Sequence, residues 1–228
     1  MLPEPAIPDL MRRLAEAYPD ATAPDTKGGR DPFRSVVTCM LSAQSLDRNT
    51  AAAARNLFAL ATTPEGILAL DDAAIAQAIR PCGLYNVKTR NLRRMCRYLL
   101  DELDGRVPRD RAGLMSLPGV GRKCADIVQH FTFGEAVVAV DTHVHRVCNR
   151  MGLAEGKTEA KTAASLEARL PADWRMQAHV ILLAHGKRTC RARAPKCGTC
   201  TVNELCEAFL AGEMAVAEPG DEATPPRP

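Results

Sequence analysis

Apolar side chains recur at helical spacing along most of the chain. Ile7, Leu10, Met11, Leu14 and Tyr18 fall on one face, and Phe33, Val36, Val37, Met40 and Leu41 form the next stripe behind an Asp31-Pro32 start. Pro19 to Gly29 reads as a loop. Asp47 is placed to cap an Ala-rich helix to about Leu60, Thr63-Pro64 opens a short helix, and Asp71 or Asp72 opens another. Pro81-Cys82-Gly83 interrupts the pattern. A long helix then spans about Asn86 to Leu103, with Leu92, Met95, Cys96, Leu99 and Leu103 inward, and Asp104-Gly105 ends it. Asp110 caps a short helix to about Ser116, and a helix from Arg122 to about Thr132 follows, closed by Gly134. Residues 136–140 (AVVAV) suit a short strand or a buried extended segment. Asp141 caps a helix to Met151, Thr158 one to about Leu170, and Asp173 starts one through His185. A short helix is expected near Val202–Leu210. The sum is an all-α protein.

Composition sharpens this reading at a few points. Aromatic residues make up 4% of the 228 positions, a bias toward helix over strand. The net charge is +3, but the last residues from Ala215 hold three acids and one arginine, so the rest of the chain carries +5. That balance permits nucleic-acid binding without demanding it. The tail 213–228 has the composition of a disordered segment. No run approaches the ~18 apolar residues of a membrane span, and the first residues lack the order of a signal peptide. A cytoplasmic, nucleoid-associated monomer with no membrane partner is expected. Nine cysteines are an odd number and argue against a disulfide framework.

The run LPGVGRKCADIV, from Leu117 to Val128, joins two helices through a turn with two glycines. Such a turn lets another backbone approach closely, and its amides together with the next helix N-terminus form a small anion site suited to a DNA phosphate. A plain tight helix connection is the other reading of this spacing. Lys123 stands in the first turn of the following helix, where the dipole favours the neutral amine that attack on a sugar C1′ requires; partial burial would act in the same sense. A solvated lysine on a phosphate is the alternative. Asp141 also begins a helix, and the residues between allow the chain to return and set both N-termini at one end. On sequence alone Asp141 is equally a plain N-cap. A metal site of Asp141, His143 and His145 needs strand alternation, which a helix does not provide. His130, His179 and His185 read as core or surface histidines.

Cys190, Cys197, Cys200 and Cys206 make a C-x6-C-x2-C-x5-C set within 17 residues. That spacing suits zinc and a [4Fe-4S] cluster equally, with two disulfides a third reading. Arg191, Arg193 and Lys196 lie in the loop between the first two cysteines. A metal group would tie down a basic loop, or the loop would compensate the charge of the thiolates.

Together these features resemble the endonuclease III family. The matching runs are LSAQSLD (41–47), GLYNVK (83–88), LPGVGRK (117–123), VDTHVHRV (140–147), AHGKRTC (184–190) and the cysteine set. The resemblance implies two helical domains with DNA between them. One is a six-helix bundle of about 25–135 containing the helix-hairpin-helix; the other combines 1–24 with 136–212 and holds a [4Fe-4S] cluster. It implies a bifunctional DNA glycosylase and abasic-site lyase acting on double-stranded DNA with damaged pyrimidines or abasic sites. Lys123 is then the nucleophile and Asp141 the catalytic carboxylate. Gly119, Val120 and Gly121 grip phosphate, Gln44 and Leu84 fill the gap left by the everted base, and the cluster loop binds DNA. The same residues allow a monofunctional glycosylase using an Asp141-activated water, or a non-catalytic DNA-binding module with a redox-sensing cluster. The hairpin lysine and the short segment after Cys206 favour the lyase.

The chain departs from the family pattern in places. Members commonly carry Thr-Ala-Asn after the lysine, and here Cys124-Ala125-Asp126 stands instead. An Asp126 carboxylate close to the Lys123 amine would keep it protonated and slow attack. His145 and Cys82 occupy positions where larger apolar residues are usual.

Overall fold

The computed structural model describes residues 1–21 and 30–214. The expected tail from 215 onward and most of the loop before Gly29 lie outside the described residues. Twelve α-helices are found among those described, and no strand: α1 Ile7–Ala17, α2 Pro32–Ser42, α3 Asp47–Leu60, α4 Pro64–Ala69, α5 Asp72–Ile79, α6 Tyr85–Leu103, α7 Arg111–Ser116, α8 Arg122–Phe133, α9 Thr142–Met151, α10 Glu159–Arg169, α11 Ala172–Arg188 and α12 Glu207–Leu210. Short 3-10 turns lie at Glu4–Ala6, Arg80–Cys82, Cys197–Thr199 and Asn203–Leu205.

The helix starts follow from side chains that accept first-turn amides. Asp31, Thr63, Asp71, Asp110, Asp141 and Thr158 each accept at least one such hydrogen bond as an N-cap. Asp47 differs from its expected capping role. Leu46 occupies the cap position without a side-chain bond, and Asp47 is the first helical residue, where its charge faces the positive helix end. The Val202–Leu210 segment is a 3-10 turn followed by one short helix, because Cys206 is extended between them. Residues 136–140 are neither helix nor strand, and Val138, Ala139 and Val140 are buried.

The chain divides into two compact units, Pro24–Val137 and Met1–Ala23 with Val138–Pro228. The continuous unit contains α2–α8 around a core of Val36, Leu41, Leu57, Ile75, Leu92 and Leu99, all at 0% exposure. The second unit packs α1 with α9–α12 around Leu10, Leu14, Val144, Val147, Leu166 and Leu182, again at 0%. Its N-terminus is tied in by the Leu2 amide, which donates to the Gly152 carbonyl, and by Arg169, which donates to Gly152 and Leu153 carbonyls at 2.9 and 2.6 Å.

Candidate active site and cysteine centre

The glycine turn sits between α7 and α8. Leu117 and Val120 point into the core at 1% and 7% exposure, while Gly119 and Gly121 face solvent. The Val120 amide donates to the Leu117 carbonyl at 3.0 Å, so Val120 serves the turn itself and the glycines form its outer surface. Gly119 has φ +86°, and a Cβ there would meet Asn91 Cβ and Met40 Sδ at 3.1 Å. Both facts require glycine. Gly121 caps α8 without any side-chain acceptor, so the first-turn amides of α8 begin on bare backbone.

Lys123 follows in that first turn and is exposed. Burial therefore adds nothing to the effect of its position at the helix start. Its neighbours are anchored. Asp126, at 1% exposure, accepts from Arg111 Nε at 2.5 Å and pairs with Arg122 Nε at 3.4 Å. The charge that the sequence set three residues from the lysine is thus buried between the guanidinium groups of Arg111 on α7 and Arg122 on its own helix α8. Cys124 lies against Cys39 of α2, whose Sγ is 3.9 Å from the Cys124 carbonyl oxygen.

Gln44 and Leu84 are both exposed, and both adopt left-handed backbone at φ 52° and 50°. A non-glycine residue in that region costs roughly 1 kcal/mol or more. Their loops share one support. Lys88, 5% exposed on α6, donates to the carbonyls of Leu41 at 2.8 Å and Cys82 at 2.9 Å, each just ahead of one strained residue. Sequence reasoning missed this lysine. The available signal was its position in the GLYNVK run, one helical turn before the inward Leu92.

In the second unit Asp141 caps α9. Its Oδ1 accepts from the His143 and Val144 amides at 2.9 and 2.8 Å, and the residue is half-buried. The chain entering this cap is held by His179 Nδ1, 2.8 Å from the Ala139 carbonyl oxygen. His145 bonds Thr162 Oγ1 at 2.8 Å, and the helical run from Thr142 splits it from His143 around the axis. This is the helix expected, and it removes the alternation a three-ligand site would need.

The four clustered cysteines line one small apolar cavity with Met151, His185 and Phe209. Burial raises Cys197, Cys200 and Cys206 above the usual thiol range, and negative charge on neighbouring cysteines raises them further. Among the described residues no His, Cys, Asp or Glu trio converges tightly enough for a single metal ion. His185 is kept neutral by burial, which lowers it to about 4, and its Nδ1 contacts Tyr18 Oη at 2.9 Å. Arg150 closes the outer side: Nη1 is 3.5 Å from Cys190 Sγ and donates to the Arg191 carbonyl at 2.7 Å. Arg191, Arg193 and Lys196 are exposed on the loop.

A helix-turn-helix with two outward glycines and a following lysine is the core of a known pattern. Residues 37–172 match the HhH-GPD superfamily base excision DNA repair protein model. Endonuclease III of Escherichia coli strain K12 is 40% identical over 199 residues, 87% of this chain and 93% of the relative. The chain belongs to the HhH-GPD superfamily of base excision DNA repair proteins, in its endonuclease III branch. Endonuclease III of Haemophilus influenzae is 38% identical over the same length. A trapped endonuclease III–DNA covalent intermediate has a TM-score of 0.84 at 33% identity, covering 94% of this chain and all of the other. A non-covalent endonuclease III–DNA complex has a TM-score of 0.83 at 34% identity, covering 93% and 99%. As an HhH-GPD protein the chain is an enzyme of base excision repair. Among the described residues no helix is long and apolar enough to cross a membrane.

Proposed function

We infer that this chain is a bifunctional DNA glycosylase and abasic-site lyase that excises oxidised pyrimidines. The observation that carries the reading is an exposed lysine in the first turn of a helix that starts on a glycine hairpin. Outward Gly119 and Gly121, with the bare N-terminus of α8, bind a phosphate of damaged duplex DNA without reading its sequence. Gln44 and Leu84 enter the space left by the everted base, held at a set height by Lys88. The neutral Lys123 amine attacks C1′. The new N–C bond forms as the glycosidic bond breaks and the base leaves with its electron pair. Ring opening gives a Schiff base, β-elimination expels the 3′ phosphate, and hydrolysis of the imine frees Lys123. The Asp141 carboxylate, its Oδ1 fixed by two amides, takes the nucleophile's proton and stabilises positive charge on the sugar.

The cysteine set fits a [4Fe-4S] cluster, because four thiols surround a common apolar space. Cys190, Cys197, Cys200 and Cys206 would hold the cluster, which supplies a structural tie for the loop. Arg191, Arg193 and Lys196 then face the DNA backbone as its phosphate contacts, and the protein acts as a monomer.

Borohydride trapping on thymine-glycol and abasic duplexes tests the assignment. Native protein gives a covalent adduct. Lys123→Ala loses it by on the order of 1000-fold or more while keeping its thermal midpoint, because the side chain is exposed. An adduct that persists in Lys123→Ala, or base release without any nick, refutes it.

A further inference from the structure

Five cysteines lie outside the cluster set, and two of them meet. Cys39 on α2 donates its thiol to the Cys124 backbone carbonyl on α8, and both side chains feel the charge of Lys123. The Cys39 sulfur lies 3.9 Å from the Cys124 carbonyl oxygen. Cys82, Cys96 and Cys148 are buried, and burial pushes the thiols of Cys96 and Cys148 up to about 12.

The two facing thiols are not equivalent. Cys39 lines an open cavity of about 710 Å³ together with Arg34, Thr38 and Ser42, whereas Cys124 does not line it. The hydrogen bond from Cys124 holds Cys39 below the usual thiol range, helped by Lys123 and Ser42 against the effect of burial. Cys124 is held well above that range by the same bond, by burial and by charge on Cys39. Cys39 is therefore the thiol that a small oxidant reaches first, through the cavity, with Cys124 behind it. This is the division of labour of an attacking and a resolving cysteine.

We propose that Cys39 and Cys124 form a peroxide-responsive dithiol at the base of Lys123. The Cys39 sulfur attacks one oxygen of a peroxide and the O–O bond breaks. The other oxygen leaves as water or an alcohol, and Cys39 becomes a sulfenic acid. The Cys124 sulfur then attacks Cys39, the hydroxyl leaves as water with the Cys124 proton, and an S–S bond forms. Two thiols lose two electrons and the peroxide gains them. A small thiol reductant reverses the step. The bridge would tie α2 to the first turn of α8 at the separation a disulfide enforces, about 4.4–6.8 Å between Cα atoms. Lys123 stands in that turn, so oxidation slows its attack on sugar. Only this consequence rests on the nucleophile assignment; the dithiol chemistry does not.

The test uses the full chain with its cluster loaded. Protein is exposed to near-equimolar hydrogen peroxide, free thiols are alkylated, and digested peptides are analysed by mass spectrometry. The expected product is one linked pair joining the Cys39 and Cys124 peptides, two hydrogens lighter than their sum. It is absent from Cys39→Ser and Cys124→Thr. Borohydride trapping falls several-fold in oxidised native protein, returns on reduction, and is indifferent to peroxide in Cys124→Thr. Alkylation of both thiols after peroxide, or over-oxidation of Cys39 beside an intact Cys124, overturns the dithiol. Linkage without any change in trapping overturns the control of Lys123. Failure of the nucleophile assignment is separate, because it shows as an adduct in Lys123→Ala whatever the thiols do.

Discussion

The hairpin turn and the cysteine loop are both proposed to meet DNA, yet they are held in opposite ways. The turn at 117–121 is fixed by its own packing: Leu117 and Val120 are buried, and Gly119 fits where a Cβ would touch Asn91 and Met40. The loop after Cys190 has no such apolar anchor, since Arg191 to Ala194 are all exposed. It is held from outside, by Arg150 and by the Thr189 carbonyl that accepts from the Arg191 and Lys196 amides. Inside it four sulfurs face an apolar space. A turn that buries side chains is stable on its own. A loop that surrounds a space depends on what fills it.

That contrast can be broken at either end. The largest effect is expected from Cys197→Ser, which removes one ligand of the proposed cluster. Amide-exchange protection over 190–206 should fall by on the order of 4 kcal/mol or more, while protection over 111–133 is kept. Equal loss in both segments would erase the distinction. Lys88→Met comes next, because it strands two carbonyls that now accept from a buried ammonium. A stability loss of about 2–4 kcal/mol is expected by denaturant titration, with weaker binding to duplex containing an abasic site. Gly119→Ala forces a Cβ into a left-handed position against 3.1 Å neighbours and should cost about 1–2 kcal/mol. Its urea midpoint reports this, and an unchanged midpoint would show that the turn is not packed as described. The smallest effect is that of Arg193→Ala. DNA affinity should weaken only a few-fold, with the salt slope reduced by about one and stability unaltered.

The comparison also marks what the sequence made legible. Helix existence and most starts could be read, because Asp110, Asp141 and Thr158 carry their capping chemistry in their own side chains. The all-helical class and the repair-enzyme family followed from motifs that are local in sequence. Contacts between distant segments could not be read. Nothing in LSAQSLD or GLYNVK says that one buried ammonium supports both loops, or that Gln44 and Leu84 both take left-handed backbone. Asp126 looked like a threat to Lys123 because three residues separate them. Its carboxylate is instead claimed from the side by Arg111, 15 residues away. Cys124 read as a mere substitution until α2 placed Cys39 against it.

Lys123 stands between two tethered residues, with Arg122 tied through Asp126 and Cys124 seated against Cys39. The backbone beneath the amine is therefore a fixed post, and the freedom left to it is the sweep of its own methylene chain. With Lys123 as the proposed nucleophile, an enzyme so built does not carry it to the sugar by moving a loop. The deoxyribose must travel, and how easily a lesion lets the duplex bend sets how often the two atoms meet.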